Sequence, residues 1–213
     1  MKILVIGATG RAGRLLVEYS LEKGHDVTAF ARNMEDYPIQ HPRLSLVTGD
    51  VLYPSLIDAG VQGQDIVLSV IGIRQFGGPI TLLSTGIKNI IGVMEKRGVK
   101  RLLTITGAGI LQETEDLLIM ESLSFPPNLQ NISMDHQRVY EGLAASNLDW
   151  TLVAPAFMHN GDRTGKYVVK ADYYPPRTRN EVSVEDVADF ITAEMTENKF
   201  LRKRVGIAHP LDL

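Results

Sequence analysis

The sequence predicts an α/β fold: a doubly wound parallel sheet with helices on both faces. Three observations predict it. Lys2-Ile3-Leu4-Val5-Ile6 is a continuous apolar run rich in branched residues, the pattern of a strand buried on both faces. Gly7-Ala8-Thr9-Gly10-Arg11-Ala12-Gly13 follows at once and leads into a helical pattern. Short apolar runs and amphipathic stretches then alternate through most of the chain, the order that right-handed crossovers between parallel strands require.

Strand, glycine turn and helix together form a dinucleotide-site pattern. Gly7 permits the sharp exit from the strand, Gly10 lets a pyrophosphate approach the backbone, and Gly13 lets the helix sit close on the strand. The free N–H groups at the helix start then face the phosphates. The competing reading, a tight turn with no ligand, is weakened by the buried strand directly before the glycines.

The remaining elements follow in order. The first helix spans about 12–23, with Ala12, Leu15, Leu16 and Tyr19 on one face and Gly24 as its stop. The second strand is 26–31. About 20 residues past the glycine turn, where an acidic residue usually meets a ribose 2′-hydroxyl, stands Arg32. Its planar fork suits a 2′-phosphate, and Arg11 is placed to help; the alternative is an ordinary surface arginine. Leu44–Thr48 is the third strand. Asp50 after it either accepts from an adenine amino group, with Val51 on the ring, or caps the turn before a short helix at 55–59.

The fourth strand is 65–71, with Gly72-Ile73-Arg74 at its carboxyl end, where ligands of open parallel sheets bind. Pro79 opens a long helix striped by Ile80, Leu83, Ile87, Ile90, Ile91 and Met94 and stopped by Gly98. The fifth strand, 101–106, ends at Gly107-Ala108-Gly109. From Ile110 to Ser133 the period loosens, as in a lid or binding loop. A helix at 135–146 follows, with Asn147 as a left-handed cap, and then a strand at 149–154 ended by Pro155. The segment at about 155–183 is expected to form a small substrate-side flank containing a short strand at 167–169. Ser183 caps a last helix whose first turn holds Glu185 and Asp186, and Val205-Gly206-Ile207 closes the fold.

The chain has 213 residues, 44% of them hydrophobic, which suits one domain with a real core. Its net charge of −3 without a block of one sign does not favour nucleic acid or an anionic membrane. The cluster Arg202-Lys203-Arg204 reads as a solvated strand entry. The absence of cysteine removes disulfides and thiol chemistry and fits a reducing, cytoplasmic setting. The opening reads as a strand, not a signal peptide. No apolar run is long enough to span a membrane.

Hydride-transfer enzymes of this architecture often use a Tyr and a Lys four residues apart. The only such pair here is Tyr19 and Lys23, on the first helix at the phosphate end, with Tyr19 in the apolar stripe. No tyrosine acid is therefore expected. The histidines, His25, His41, His136, His159 and His209, show no metal-ligand spacing, so no metal is expected. His136 and His159 lie near the expected site and read as solvated.

The glycine turn, Gly49-Asp50-Val51, Gly63-Gln64-Asp65, Gly72-Ile73-Arg74, Asp135-His136-Gln137-Arg138 and 146–151 occur in the order seen in atypical short-chain dehydrogenases. Over nearly the whole chain the sequence resembles the biliverdin-IXβ reductase/flavin reductase group, with NmrA-like NADP-binding proteins as a second relative. The resemblance implies a Rossmann domain binding NADPH, with Thr9, Gly10, Arg11, Ala12 and Gly13 at the phosphates and Arg32 at the 2′-phosphate. It implies Asp50 and Val51 at adenine and Gly72, Ile73 and Arg74 near the diphosphate and nicotinamide ribose. Thr106 and the stretch from Pro155 through Phe157 to Met158 would frame the nicotinamide. It further implies hydride transfer to FMN or another flavin without a tyrosine acid. Two departures speak against tetrapyrrole reduction. Gly107 stands where the family's mammalian members carry a serine, and Phe157 where they carry a histidine; Phe157 and Phe76 offer faces for a planar ring instead. The expected function is an NADPH-dependent oxidoreductase acting on a small planar molecule, as a monomer or small homo-oligomer. The alternative is a non-catalytic NADP(H) sensor.

Overall fold

The computed structural model describes residues 1–73 and 78–211. Arg74 and Phe76 lie outside the described residues. An eight-stranded sheet runs through the molecule in the order β3-β2-β1-β4-β5-β6-β10-β8. Its strands are β1 (Lys2–Ile6), β2 (Asp26–Ala31), β3 (Leu44–Thr48), β4 (Ile66–Ser69), β5 (Arg101–Ile105), β6 (Asp149–Pro155), β8 (Val168–Ala171) and β10 (Lys203–Ala208). All neighbouring pairs are parallel except β10 with β8. Two further strands, β7 (Phe157–His159) and β9 (Glu181–Ser183), form a small parallel pair beyond the main sheet. The order reverses between β1 and β4, which opens a crevice at the carboxyl ends of those strands.

Helices cover both faces, as the two-sided burial of β1 demands. On one face lie α1 (Arg11–Glu22) and α5 (Val184–Glu197), packed side by side. Leu16, Val17, Val187 and Ile191 meet Ile3, Val5, Leu68, Val153 and Val205 there. On the other face, α2 (Pro54–Val61), α3 (Leu82–Arg97) and α4 (Gln130–Ala145) bring Ile57, Ile87, Ile90, Val139 and Leu143 onto Leu4, Ile6, Val67, Leu102 and Leu152. The alternation of β1 side chains between the two layers follows from the pleat. No described helix is long and apolar enough to cross a membrane.

Several boundaries depart from expectation for identifiable reasons. The long helix begins at Leu82, not at Pro79. Its first turn is capped from outside: the Leu83 and Ser84 N–H groups donate to Asp135 Oδ2 at 3.0 and 3.4 Å, and Arg138 Nη1 lies 3.5 Å from Asp135 Oδ1. A buried carboxylate on α4 thus satisfies the orphan donors of α3. The next helix starts at Gln130 rather than Asp135, behind a 3-10 turn at Pro127–Leu129. Its cap is Ser146, φ −81°, whose hydroxyl donates to Leu143 O at 2.7 Å. Asn147 is therefore not a left-handed cap, and Asn198, φ 53°, plays that part after α5.

The segment at 110–133 is not a loose lid. Ile110 and Leu111 are buried, and 3-10 turns sit at Ala108–Ile110 and Ile119–Glu121. Arg204 explains why. It is buried, not solvated: its guanidinium stacks 4.6 Å over Tyr140, donates to Ile110 O and reaches Gln112 Oε1 at 3.2 Å.

The far end of the sheet hangs on another buried ion pair. Glu194 accepts from Arg101 Nη2 at 3.0 Å, from Phe200 N at 2.9 Å and from Lys199 N at 3.1 Å, at 1% exposure. Burial lowers the Arg101 pKa, and the Glu194 charge opposes that effect. Removing one partner of such a pair strands the other in the core. Glu194→Ala is expected to cost about 3–5 kcal/mol of unfolding free energy in a denaturant titration, far more than an exposed Glu197→Ala control.

Candidate functional site

The site is built from the glycine turn outward. Gly7 leaves β1 at φ 88°, and its N–H donates to Phe30 O at 2.9 Å. A Cβ there would stand 2.7 Å from Val70 O. Gly13, in the first turn of α1, lies so near the Gly7 carbonyl that a methyl group would overlap it, and would also stand 2.8 Å from Ala8 Cα. Gly10 is different: it is exposed, at φ −74°, where any residue fits, and it precedes α1 as an N-cap without a side-chain bond. No acidic residue stands in the first turn. The N–H groups of Arg11, Ala12 and Gly13 and the positive end of the helix dipole are left for an anion. This cradle of free N–H groups, held in place by the close backbone contacts at Gly7 and Gly13, fits a dinucleotide diphosphate.

Thr9, Gly10 and Arg11 are exposed and Ala12 half-buried around it. Tyr37 closes its back, donating from its hydroxyl to Ala8 O at 3.3 Å, and burial pushes its pKa up to about 12. Nothing in the local sequence marked Tyr37, because its partner lies 29 residues away.

Along the crevice, Arg32 is exposed at the end of β2 and has no hydrogen bond or ion pair among the described residues. The chain behind it is anchored by an Asn33 turn, with Asn33 Oδ1 accepting from Glu35 N at 2.9 Å, and by buried Met34. Asp50 does cap its turn: Oδ1 accepts from Leu52 N at 2.9 Å. Val51 is buried against Gly86 of α3, where a Cβ would stand 3.0 Å from Val51 Cγ2. Gly72 is exposed with open space beside it, and Ile73 is half-buried against the core of that face.

At the carboxyl ends of β5 and β6 the side chains diverge. Thr106 is buried, and both its N–H, at 2.9 Å, and its hydroxyl, at 3.5 Å, point to Val153 O. Pro155 ends β6, Phe157 projects at 72% exposure, and Met158 turns into the α1/α5 core. His136 is not solvated: it is half-buried on α4, with its Cε1 and Nδ1 3.4 Å from where a Gly107 Cβ would be. Burial lowers its pKa to about 4, and the opposing Asp135 charge does not restore it. Once α4 is known to start at Gln130, positions 132, 135, 136, 139 and 143 fall on one inward stripe. That earlier start is the signal that would have found His136.

The flank at 157–166 is fastened to the sheet rather than free. Asp186, buried at the start of α5, accepts from Thr164 N at 2.8 Å, Thr164 Oγ1 at 2.6 Å, Gly165 N at 2.8 Å and His209 Nε2 at 2.8 Å. Burial pushes its pKa up, but these bonds outweigh that and hold it below the usual value. Arg163 pairs with Asp189 at 2.6 Å and lies 4.1 Å over Tyr19. Arg11 Nη1 donates to Asn160 Oδ1 at 2.9 Å, which ties the glycine turn to the flank. Tyr19 is thus packed under Arg163, and Lys23 donates to Thr192 O at 3.1 Å, so the two do not face the crevice. Among the described residues no three His, Asp or Glu side chains are grouped to hold a metal ion.

A family model described as NAD(P)H-binding matches residues 7–198. The uncharacterized protein YwnB of Bacillus subtilis is 27% identical over 202 residues, 92% of each chain. Among solved structures, a protein described as a tentative epimerase from Bacteroides thetaiotaomicron is 28% identical with a TM-score of 0.87, covering 100% of this chain and 98% of its own. A proposed NADH-flavin reductase from Streptococcus pneumoniae is 24% identical with a TM-score of 0.85, covering 98% and 99%.

Gly10 and Gly13 separate binding from folding. Gly10→Val is expected to keep the α/β circular dichroism spectrum and lose at least tenfold in NADPH affinity. Gly13→Val is expected to lose the folded spectrum itself, because its side chain meets backbone that cannot yield.

Proposed function

Since this chain belongs to the NAD(P)H-binding family, we propose that it is an NADPH-dependent reductase that passes hydride to a flavin or a similar planar acceptor. The observation that carries the reading is Phe157. A large aromatic side chain at 72% exposure, just past the carboxyl end of a central strand, offers an apolar face on which a flat ring can lie. It stands beside the glycine cradle's own end of the sheet, where β5 and β6 run parallel.

In this reading the N–H groups of α1, with Thr9, Gly10, Arg11, Ala12 and Gly13, bind the diphosphate. Asp50 and Val51 border adenine, and Gly72, Ile73 and Arg74 the ribose beyond it. Thr106, Pro155 and Met158 frame the nicotinamide, and Phe157 supports the acceptor ring. Bound NADPH supplies a hydride, two electrons and a proton together, and a solvent proton completes the reduced acceptor. The chain's own residues orient the two rings and exclude water between them. No Tyr/Lys pair takes part: Tyr140 of α4 is followed four residues later by Ala144, and it packs edge-on to Trp150. For the same reason an epimerase chemistry that depends on that pair is a poorer fit. The segment at 155–183 serves as the acceptor-side flank of a single domain.

Turnover tests the reading directly. Mixing protein, NADPH and FMN is expected to bleach the nicotinamide absorbance catalytically. Tight NADPH binding with no turnover on several flavins and quinones would return the sensor reading.

Cofactor preference rests on Arg32. A 2′-phosphate brings about two negative charges to a guanidinium that has no other partner among the described residues. Charge-assisted bonds contribute roughly 1.5–3 kcal/mol each, and about 1.4 kcal/mol is tenfold in affinity. NADPH is expected to bind at least tenfold more tightly than NADH, Arg32→Ala to erase most of that ratio by weakening NADPH alone, and added salt to shrink it. Equal affinities in the unmodified protein would leave Arg32 as a surface arginine.

A further inference from the structure

We propose that the imidazole of His136 donates a hydrogen bond to a ring carbonyl of the acceptor, and so selects planar acceptors whose carbonyl is conjugated with the atom that receives hydride. The identity of the acceptor in this inference rests on the reductase reading above; the polarity of the site does not.

The first observation is a contrast among the histidines. His25 Nδ1 lies 3.4 Å from the Met1 ammonium, and His41 Nδ1 accepts from Arg43 N at 3.1 Å. His159 Nδ1 meets Asn160 O at 2.9 Å, and His209 Nε2 meets Asp186 at 2.8 Å. His136 has neither ring nitrogen bonded to any described residue, although it is half-buried. Its nitrogens are therefore free to meet a ligand's polar group.

The second observation is where the ring stands. Its Cε1–Nδ1 edge faces Gly107, the second residue beyond β5, and a Cβ there would stand 3.4 Å from both atoms. Gly107 therefore leaves that edge of the ring without a side chain across it. Phe157 occupies the corresponding end of the neighbouring strand β6. His136 is carried by α4, which packs on α3, and Phe157 projects to solvent on the side of β7 opposite Met158, which turns into the α1/α5 core. One supplies an apolar face and the other a polar edge, the pair of surfaces that a flat ring with peripheral carbonyls needs.

The third observation is rigidity. Asp135, one residue before His136, is fully buried and caps the start of α3 through the Leu83 and Ser84 N–H groups. The helix carrying His136 is thereby locked to its neighbour, which places the donor on a fixed element.

The lowered pKa decides between two roles for the ring. With a value about 4, roughly one imidazole in a thousand is protonated at neutral pH. Such a group is a poor proton source but a good fixed N–H donor. Hydride arrival leaves negative charge on the acceptor's conjugated carbonyl oxygen, and a donor already in place stabilises it. The proton that balances the reduction comes from solvent.

The test uses the full chain and three variants, His136→Ala, His136→Phe and His136→Asn, the last keeping an N–H near the position of Nδ1. FMN is titrated into NADP⁺-saturated protein and its fluorescence followed; kcat with NADPH and FMN is measured in parallel. His136→Ala and His136→Phe are expected to weaken FMN about tenfold and lower kcat about ten- to a hundredfold, with NADP⁺ affinity changed less than twofold. His136→Asn is expected to recover most of both. FMN affinity and kcat within twofold of wild type in His136→Phe overturn the inference, as does an equal loss in His136→Asn and His136→Phe, or no FMN binding to the wild-type protein. His136-dependent FMN binding without any NADPH oxidation upholds the donor and overturns the reductase reading alone.

Discussion

The arrangement depends on one backbone contact, between the first turn of α1 and the carbonyl of Gly7. There is no room at Gly13 for even a methyl group. That closeness presses α1 onto β1 and aims its uncapped N-terminus along the crevice between β1 and β4. Hydrophobic packing of Leu16 and Val17 holds the helix down, but packing alone is non-directional. The glycine contact sets the angle, and the dipole, the free N–H groups and the exposure of Thr9 to Arg11 follow from it.

A second theme is the use of buried carboxylates as clamps. Asp135, Asp186 and Glu194 are each at most 1% exposed, and each collects backbone N–H donors as well as a charged or polar side chain. Asp135 joins α4 to α3, Asp186 joins α5 to the flank, and Glu194 joins α5 to β5 and to the turn at 199–200. Each offsets its desolvation with several bonds, which is the condition under which a buried charge is tolerable.

What was legible in the sequence was whatever is encoded locally. β1, β2 and β3 stand where the apolar runs put them, Gly98 ends α3 in the left-handed region at φ 73°, and the Ser183 hydroxyl accepts from Asp186 N at 3.1 Å as an N-cap should. What was illegible was decided across the fold. Pro79 is a good opener for a helix, yet Asp135 moves the start to Leu82. Arg204 looked solvated within its basic cluster, because Tyr140 and Ile110 are remote in sequence. Asn147 and Asn198 are equally suited to a left-handed cap, and only the packing of each helix end chooses between them. The same holds for the candidate site. The cradle residues were readable as a motif, while Tyr37, Asn160 and His136 owe their places to partners tens of residues away.

The fastening of the flank carries a consequence for how the chain is assembled. The glycine turn and the strands beside it lie within β1 to β5, although Arg11 also bonds Asn160 of the flank. Asp186 and its partner His209 come much later, and His209 lies beyond β10, the last strand to join the sheet. A growing polypeptide can therefore form the glycine turn and the strands beside it before the flank is fastened. The fastening of the flank at 157–166 waits for β10 and His209, which complete the cluster of bonds on Asp186.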